Sequence, residues 1–221
     1  MRSALAFLCA AFIVNAACQA QSIEPLDPEK KINGLRAADL SSEWWKWAVA
    51  NPDKSPIEDT TGENCGVGQR GEEWFLAGGF GSSRITRRCT IPAGKYLFFP
   101  VVNMAYWPAP GTSELTCQQA KQSAALNNDT AIELFASVDG VEIPNVDSHR
   151  VRTDKCFDLF ERVPASYGRR SAYPSASDGY WLLLPPLGKG KHAVKFGGMY
   201  NRASGAYGRM LQDIEYFVVV Q

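Results

Sequence analysis

The segment Gly66–Gly71, GVGQRG, has the G-x-G-x-x-G spacing of a dinucleotide-binding loop. In such a loop the glycines let the backbone approach a pyrophosphate, and the N-terminus of the next helix binds the phosphates. Here a polar loop precedes Gly66, and the strand-like sequence EEWFLAGG follows Gly71. The acidic ribose partner is also missing about 20 residues on, where Arg87 and Arg88 stand. The context therefore predicts a tight loop with positive φ angles at glycine, not a nucleotide site.

The acidic residues around this segment suggest two other kinds of chemistry. A pair of carboxylates could hydrolyse a glycoside, but Glu72 and Glu73 are adjacent on a predicted strand and point to opposite faces. A loop rich in oxygen ligands could hold a structural Ca²⁺ ion, although its spacing is not that of an EF-hand. The candidate calcium ligands are Asp53, Asp59, Glu63 and Asn64.

The two histidines differ in their surroundings. His192 alternates with Val194 and Phe196 on a predicted strand, which indicates a hydrogen-bonded histidine in the core. His149 lies in the polar segment NVDSHRVRT beside Asp147, and it is a candidate binding residue at the surface. No serine stands in a G-x-S-x-G elbow, so the sequence names no catalytic residue.

The aromatic residues are the more informative group. Tyr106 and Trp107 follow the apolar strand KYLFFPVV in a segment interrupted by Pro108 and Pro110, and we expect burial to end near Asn103. Two rings carried out of a sheet could stack on a sugar or could plug the end of the fold. The other tryptophans fit helix stripes or strand faces, and the core is predicted to hold Trp44, Trp47, Trp74 and Trp181.

The N-terminus, MRSALAFLCAAFIVNAACQAQS, has the layout of a secretory signal peptide. We expect residues 1–20 to be removed, with cleavage after Ala16 or Ala20. Cys18 offers a second possibility, a lipid anchor at the mature N-terminus. Residues 21–221 then form one domain that is secreted or periplasmic and has no transmembrane segment.

Four cysteines follow the signal segment, namely Cys65, Cys89, Cys117 and Cys156. An even number in an exported chain indicates two disulfides. Three pairings are possible, and the short loops favour Cys65–Cys89 with Cys117–Cys156. The charges are balanced, 23 Lys and Arg against 23 Asp and Glu, which gives no attraction to nucleic acid.

Helical periodicity occurs in two segments. LRAADLSSEWWKWAVA, from Leu35 to Ala50, places apolar residues on one stripe. SELTCQQAKQSAALNN, capped by Thr112 or Ser113, is the second helix. The rest alternates in short strands, with a hairpin signal at Asp139-Gly140 and two strands in GYWLLLPPLGKGKHAVKFGG. This order predicts a mainly β fold, an antiparallel, jelly-roll-like β-sandwich with two covering helices.

Several of these segments resemble a family of exported bacterial proteins. The shared features are a W-W-x-W-A helix, a C-x-x-G-Q-x-G-x-x-W-F-L-A-G segment, an R-x-C-x-I/V-P-x-G-K strand start and a late G-K-H-x-x-x-F-G-G hairpin. The resemblance covers most of the chain after the signal segment. It implies one exported domain and brings no activity with it.

The sequence therefore favours a non-catalytic exported protein that binds a glycan or a protein partner through Tyr106, Trp107 and His149. Two alternatives stay open: a hydrolase of polysaccharide or cell wall, and a structural component of the envelope or matrix. A cleft with two carboxylates would favour the hydrolase, an aromatic platform the binding protein, and an open sheet edge the structural component.

Export with two disulfides is testable by intact mass. We expect the secreted protein to lack about 16–20 N-terminal residues and to gain four hydrogens on reduction, two for each disulfide. A free thiol at Cys65 or Cys117 in oxidised protein would contradict the bridging.

Overall fold

The structure is a computed structural model, and it describes residues 23–80, 84–109, 114–168, 171–203 and 209–221. The predicted signal peptide with Cys18, the expected helix caps Thr112 and Ser113, and Pro110 lie outside these ranges. The helices are α1 (Ala37–Val49) and α2 (Cys117–Asn128). The strands are β1 (Glu73–Phe75), β2 (Arg84–Ile91), β3 (Tyr96–Tyr106), β4 (Ala131–Val138), β5 (Val141–Glu142), β6 (Arg150–Arg152), β7 (Ala176–Leu184), β8 (Gly190–Tyr200) and β9 (Leu211–Val220).

Two sheets form the sandwich, which confirms the predicted mainly β class with two helices. One sheet has the order β1-β3-β7-β6 and the other the order β2-β9-β8-β4-β5. Most neighbours are antiparallel, but β1 pairs with β3 and β2 pairs with β9 in parallel. The first parallel pair follows from the path of the chain, because β2 crosses to the other sheet between β1 and β3. The two parallel pairs are exceptions in a sandwich whose other strand pairs are antiparallel.

The two strands predicted in GYWLLLPPLGKGKHAVKFGG are confirmed as β7 and β8, but they do not pair with each other. β7 pairs with β3 and β6, whereas β8 pairs with β4 and β9 in the opposite sheet. The connection holds Pro185 and Pro186, which lack the N–H group that a continued ladder needs. The segment is thus a crossover between sheets. The hairpin at Asp139-Gly140 is confirmed, with both residues at positive φ between β4 and β5.

The core has two layers. Between the sheets, the rings of Phe99 and Phe196 pack at a tilt with their centroids 4.5 Å apart. On the other face of the four-stranded sheet, α1 packs Trp44 against Trp181, which stacks on Phe98. The four predicted core tryptophans are all buried. The sheet between the layers is therefore covered on both faces.

Helix α2 starts later than the sequence predicted. Residues 114–116 are outside the helix, and Thr116 is its cap, in a reciprocal capping box with Gln119. A disulfide joins Cys117, at the first turn, to Cys156, and the other joins Cys65 to Cys89. Both favoured pairings are confirmed.

The Gly-rich loop is a tight turn that leads into a strand. Gly68 and Gly71 have positive φ, as predicted, whereas Gly66 does not. The side chain of Gln69 donates to the carbonyls of Cys65 and Phe75 and accepts from the N–H of Phe75. The glutamine of this motif thus joins the loop to β1, and no helix follows for phosphate binding.

Arg87 fixes the position of the loop and of the segment after β1. It lies on the inner face of β2 with 1% of its surface exposed. Its guanidinium donates to the carbonyl oxygens of four residues and to the hydroxyl of Tyr216. The carbonyl acceptors are Ile57, Asp59, Ala77 and Gly78. A buried guanidinium is tolerated because these oxygens satisfy it.

Replacing Arg87 should therefore destabilise the protein. We expect Arg87→Lys to lower the free energy of unfolding by roughly 3 kcal/mol or more, because one ammonium group cannot reach all of these oxygens and buried carbonyls lose their donors. Urea denaturation measures the loss. The neighbouring Arg88 is exposed, so Arg88→Lys should stay within about 0.5 kcal/mol. Equal stability of the two variants would contradict the assigned role.

Candidate functional site

One cavity brings together the aromatic pair that the sequence singled out. It has a volume of about 730 Å³ and lies beside α1, α2 and the end of β3; we call it the aromatic cavity. Its ring-bearing residues are Trp44, Trp45, Phe80, Tyr106, Trp107 and Phe160. Its aliphatic and thioether residues are Val49, Ile57, Met104, Ala105, Ala109, Leu126, Leu159 and Met210. A volume of this size suits a small molecule or a large side chain.

Strand β3 carries the aromatic pair further than expected. The ladder continues past Asn103 to Tyr106, which pairs with Ala176 of β7. Tyr106 is 42% exposed and Trp107 is 40% exposed, so both present ring surface. Trp107 also meets Phe160 edge to face, with centroids 6.3 Å apart. The pair thus forms part of a cavity wall rather than a free platform.

Two tryptophans of α1 contribute to the apolar wall. The Nε1–H of Trp44 donates to the carbonyl of Leu76 at 2.9 Å, and that of Trp45 donates to Ser177 Oγ at 3.1 Å. Both side chains are buried, and because their polar atoms are satisfied by the protein, the little ring surface that they present to the cavity is apolar. The apolar stripe of α1 predicted a core position for Trp44 but not for Trp45.

The segment after β1 closes another side of the cavity. A Cβ atom at Gly78 would lie 2.4 Å from Gln212 Oε1, so a larger residue there would displace the side chain of Gln212. Gln212 Oε1 accepts from the N–H of Gly79, and its Nε2 donates to the carbonyls of Pro100 and Val101 at the bulge of β3. Gln212 therefore links β9, β3 and the cavity wall.

The polar groups of the wall are few. Asn103, Ser123, Asn127 and Arg202 line the cavity. Nδ2 of Asn103 is buried and has no hydrogen-bond partner within the described residues. Arg202 Nη1 donates to Oδ1 of Asn127 at 3.1 Å. Among the described residues that line the cavity there is no Asp, Glu, His or Cys, so this wall offers neither an acid–base pair nor a nucleophilic thiol.

The other predicted site residues lie elsewhere. His149 is the last residue of the short 3-10 helix Val146–His149 and does not line the cavity. Burial lowers the pKa of His149, and the negative charges of Asp27 and Asp147 only partly offset this effect. It therefore does not join Tyr106 and Trp107 in one site.

The candidate calcium ligands do not form a metal-binding cluster within the described residues. The carboxylate of Asp59 accepts from the N–H groups of Thr61, Gly62 and Asn64. Burial raises the pKa of Asp59, but these hydrogen bonds outweigh it and the net shift is downward. Asp53 accepts from the hydroxyl of Tyr167. Within the described ranges, no group of three or more His, Cys, Asp or Glu residues is placed to hold a metal ion.

A second concave region, the polar groove, covers part of the outer face of the five-stranded sheet. It has a volume of about 830 Å³, and its wall includes Arg88, Asp139, His192 and Phe217. His192 is not a core residue, because its side chain is 17% exposed at the start of β8. Its Nδ1 lies 2.8 Å from Asp139 Oδ2 and its Nε2 lies 2.8 Å from the carbonyl of Gly188. The predicted hydrogen bonding of His192 is confirmed and its core position is wrong.

Most of the cavity wall has no signal in the sequence, because it is built from segments that are distant along the chain. Phe160 lies in the Pro- and Ser-rich region 144–178, where periodicity gives no signal. Arg202 follows β8, and the sequence around it does not indicate a binding residue. The pattern that did find part of the site was an aromatic pair next to proline at the end of an apolar strand.

Comparison with known proteins adds no functional assignment. No family model, no curated protein and no solved structure matches the chain. Across the described ranges, the helices are too short or too polar to cross a membrane.

His192 makes stability depend on pH in a defined direction. Burial lowers its pKa, but the hydrogen bonds to Asp139 and Gly188 together raise it above 6.5. Both ring nitrogens face acceptors, so the protonated ring fits this position and the folded state holds the proton more tightly. Its stabilising effect is present below the unfolded pKa and is lost as pH rises through the folded pKa.

We therefore expect the difference in unfolding free energy between wild type and His192→Gln to be larger at about pH 5 than at about pH 8.5. Urea denaturation at both pH values measures it. His149 is present in both proteins, and its contribution cancels. A difference that grows with pH would contradict the assignment.

Proposed function

We propose that this protein is a non-catalytic binding protein of the periplasm or the cell exterior, and that the aromatic cavity is its binding site. The observation that carries the proposal is a cavity of about 730 Å³ walled by six aromatic residues and only a few polar ones. Small-molecule sites have this size and this composition. The two disulfides support an oxidising compartment.

The wall favours a ligand with an apolar body. Trp45, Leu126 and Phe160 face the cavity from three separate segments, so a ligand is surrounded by apolar surface rather than stacked on one face. Each Å² of apolar surface removed from water contributes roughly 25 cal/mol. An apolar side chain of a protein partner would be held in the same way.

A glycan is the second candidate ligand. Tyr106 and Trp107 are each about two-fifths exposed, and an exposed ring can stack on a sugar. The neutral polar residues of the wall, Asn103, Ser123 and Asn127, would lie near the sugar hydroxyls. Glycans carry hydroxyls around the whole ring, however, and the few polar groups of this wall match them less well than they match an apolar body.

The two other functions receive less support. The described wall carries no carboxylate, so this cavity does not supply the acid and base of a glycoside hydrolase. A structural role would need open sheet edges, but the edge strands named here are short or covered. β5 and β6 have two and three residues, and the N–H of Arg88 on β2 donates to the carbonyl of Thr61.

A neutral apolar probe tests the cavity. We expect N-phenyl-1-naphthylamine to bind saturably with an increase in fluorescence, and Trp107→Ala to weaken binding by about tenfold or more, because the variant loses apolar contact area. The variant should lose only about 1 kcal/mol of stability, since Trp107 is partly exposed and its main ring contact is Phe160.

The matched control is Phe217→Ala. Phe217 is 43% exposed in the polar groove, so its loss should leave probe affinity unchanged. Equal weakening by both variants, or no saturable binding, would overturn the proposal. Binding of a polysaccharide panel that depends on Trp107, without binding of the apolar probe, would replace it with the glycan alternative.

A further inference from the structure

Arg202 is the only charged side chain among the described residues that line the aromatic cavity. Its neutral neighbour Asn127 is 3% exposed and accepts one of its N–H groups through Oδ1 at 3.1 Å. A guanidinium has five N–H donors in a planar fork. One donor is therefore directed at Asn127, and among the described residues no other hydrogen bond engages the rest of the fork.

Within the part of the chain that the structure describes, no carboxylate pairs with the guanidinium of Arg202. No ion pair joins it to an acidic residue within the described ranges, and no described Asp or Glu lines the cavity. The other arginines of the α2 side, Arg150 and Arg152, are paired with Asp129 and Asp178. Arg202 thus brings a net positive charge to an otherwise apolar wall.

This charge selects among apolar ligands. Aromatic rings alone attract cations through their faces, but a cation here would meet Arg202 with no carboxylate to offset the repulsion. A neutral ligand would leave the guanidinium without a partner of opposite charge. An anionic head group gains charge-assisted hydrogen bonds, and guanidinium binds carboxylate, sulfonate and phosphate oxygens in its plane.

We infer that the ligand is an amphipathic anion, with an apolar aliphatic or aromatic body among the rings and one acidic head group on Arg202. This inference rests on the proposed function, since it assigns the chemical class of the ligand of the same cavity.

Two probes that share an aromatic body separate the charge from the apolar contact. N-phenyl-1-naphthylamine is neutral, and 8-anilinonaphthalene-1-sulfonate carries a sulfonate on the same rings. We expect the wild-type protein to bind the sulfonate probe at least about tenfold more tightly than the neutral probe. Added salt should weaken binding of the sulfonate probe and leave binding of the neutral probe unchanged. Arg202→Met should remove that preference and change the affinity for the neutral probe by no more than about twofold.

The matched control is Arg88→Met, because Arg88 is an exposed arginine beside an aromatic ring, Phe217, outside the cavity. It should leave both affinities unchanged. If Arg202→Met does not fold, Arg202→Gln and the salt dependence of wild type give the same comparison. Equal affinity of the two probes, or a preference for the sulfonate that survives loss of Arg202, would overturn the inference and leave the apolar site standing. Failure of both probes to bind would overturn the proposed function itself.

Discussion

The buried guanidinium of Arg87 is the interaction on which the rest of the structure depends. It lies on the inner face of β2, yet its acceptors belong to the loop before β1 and to the segment after it. Leaving this charge without partners would cost several kcal/mol, so folding must bring both segments to it. Those segments supply Ile57 and Gly78 to the aromatic cavity. The interaction that stabilises the sandwich therefore also shapes the proposed site.

The cavity follows from the layers around the four-stranded sheet. Because this sheet is covered by the second sheet on one face and by α1 on the other, its strands are apolar on both faces. At the end of β3 the apolar surface extends past the second sheet and α1, so Tyr106 and Trp107 are partly exposed. Residues from α1, α2 and the region around Phe160 surround this surface.

Local pattern predicted much of the fold and little of the site. The stripe of α1, the Asp139-Gly140 turn and both disulfides were correct because each depends on residues close in sequence or on cysteine spacing. The crossover from β7 to β8 and the parallel pairing of β2 with β9 were not predicted, since they depend on which sheet a strand joins. Arg202 and Phe160 were missed for the same reason: they reach the cavity only through tertiary structure.

The most direct test of the central claim, that the aromatic cavity is the binding site, is the response of the tryptophan indole N–H resonances in an NMR titration with 8-anilinonaphthalene-1-sulfonate. Trp45 and Trp107 line the cavity, whereas Trp74 lies in the core between the sheets. The account predicts that the resonances of Trp45 and Trp107 shift together to saturation while that of Trp74 stays in place. Saturable binding that leaves the resonances of Trp45 and Trp107 unmoved would contradict it.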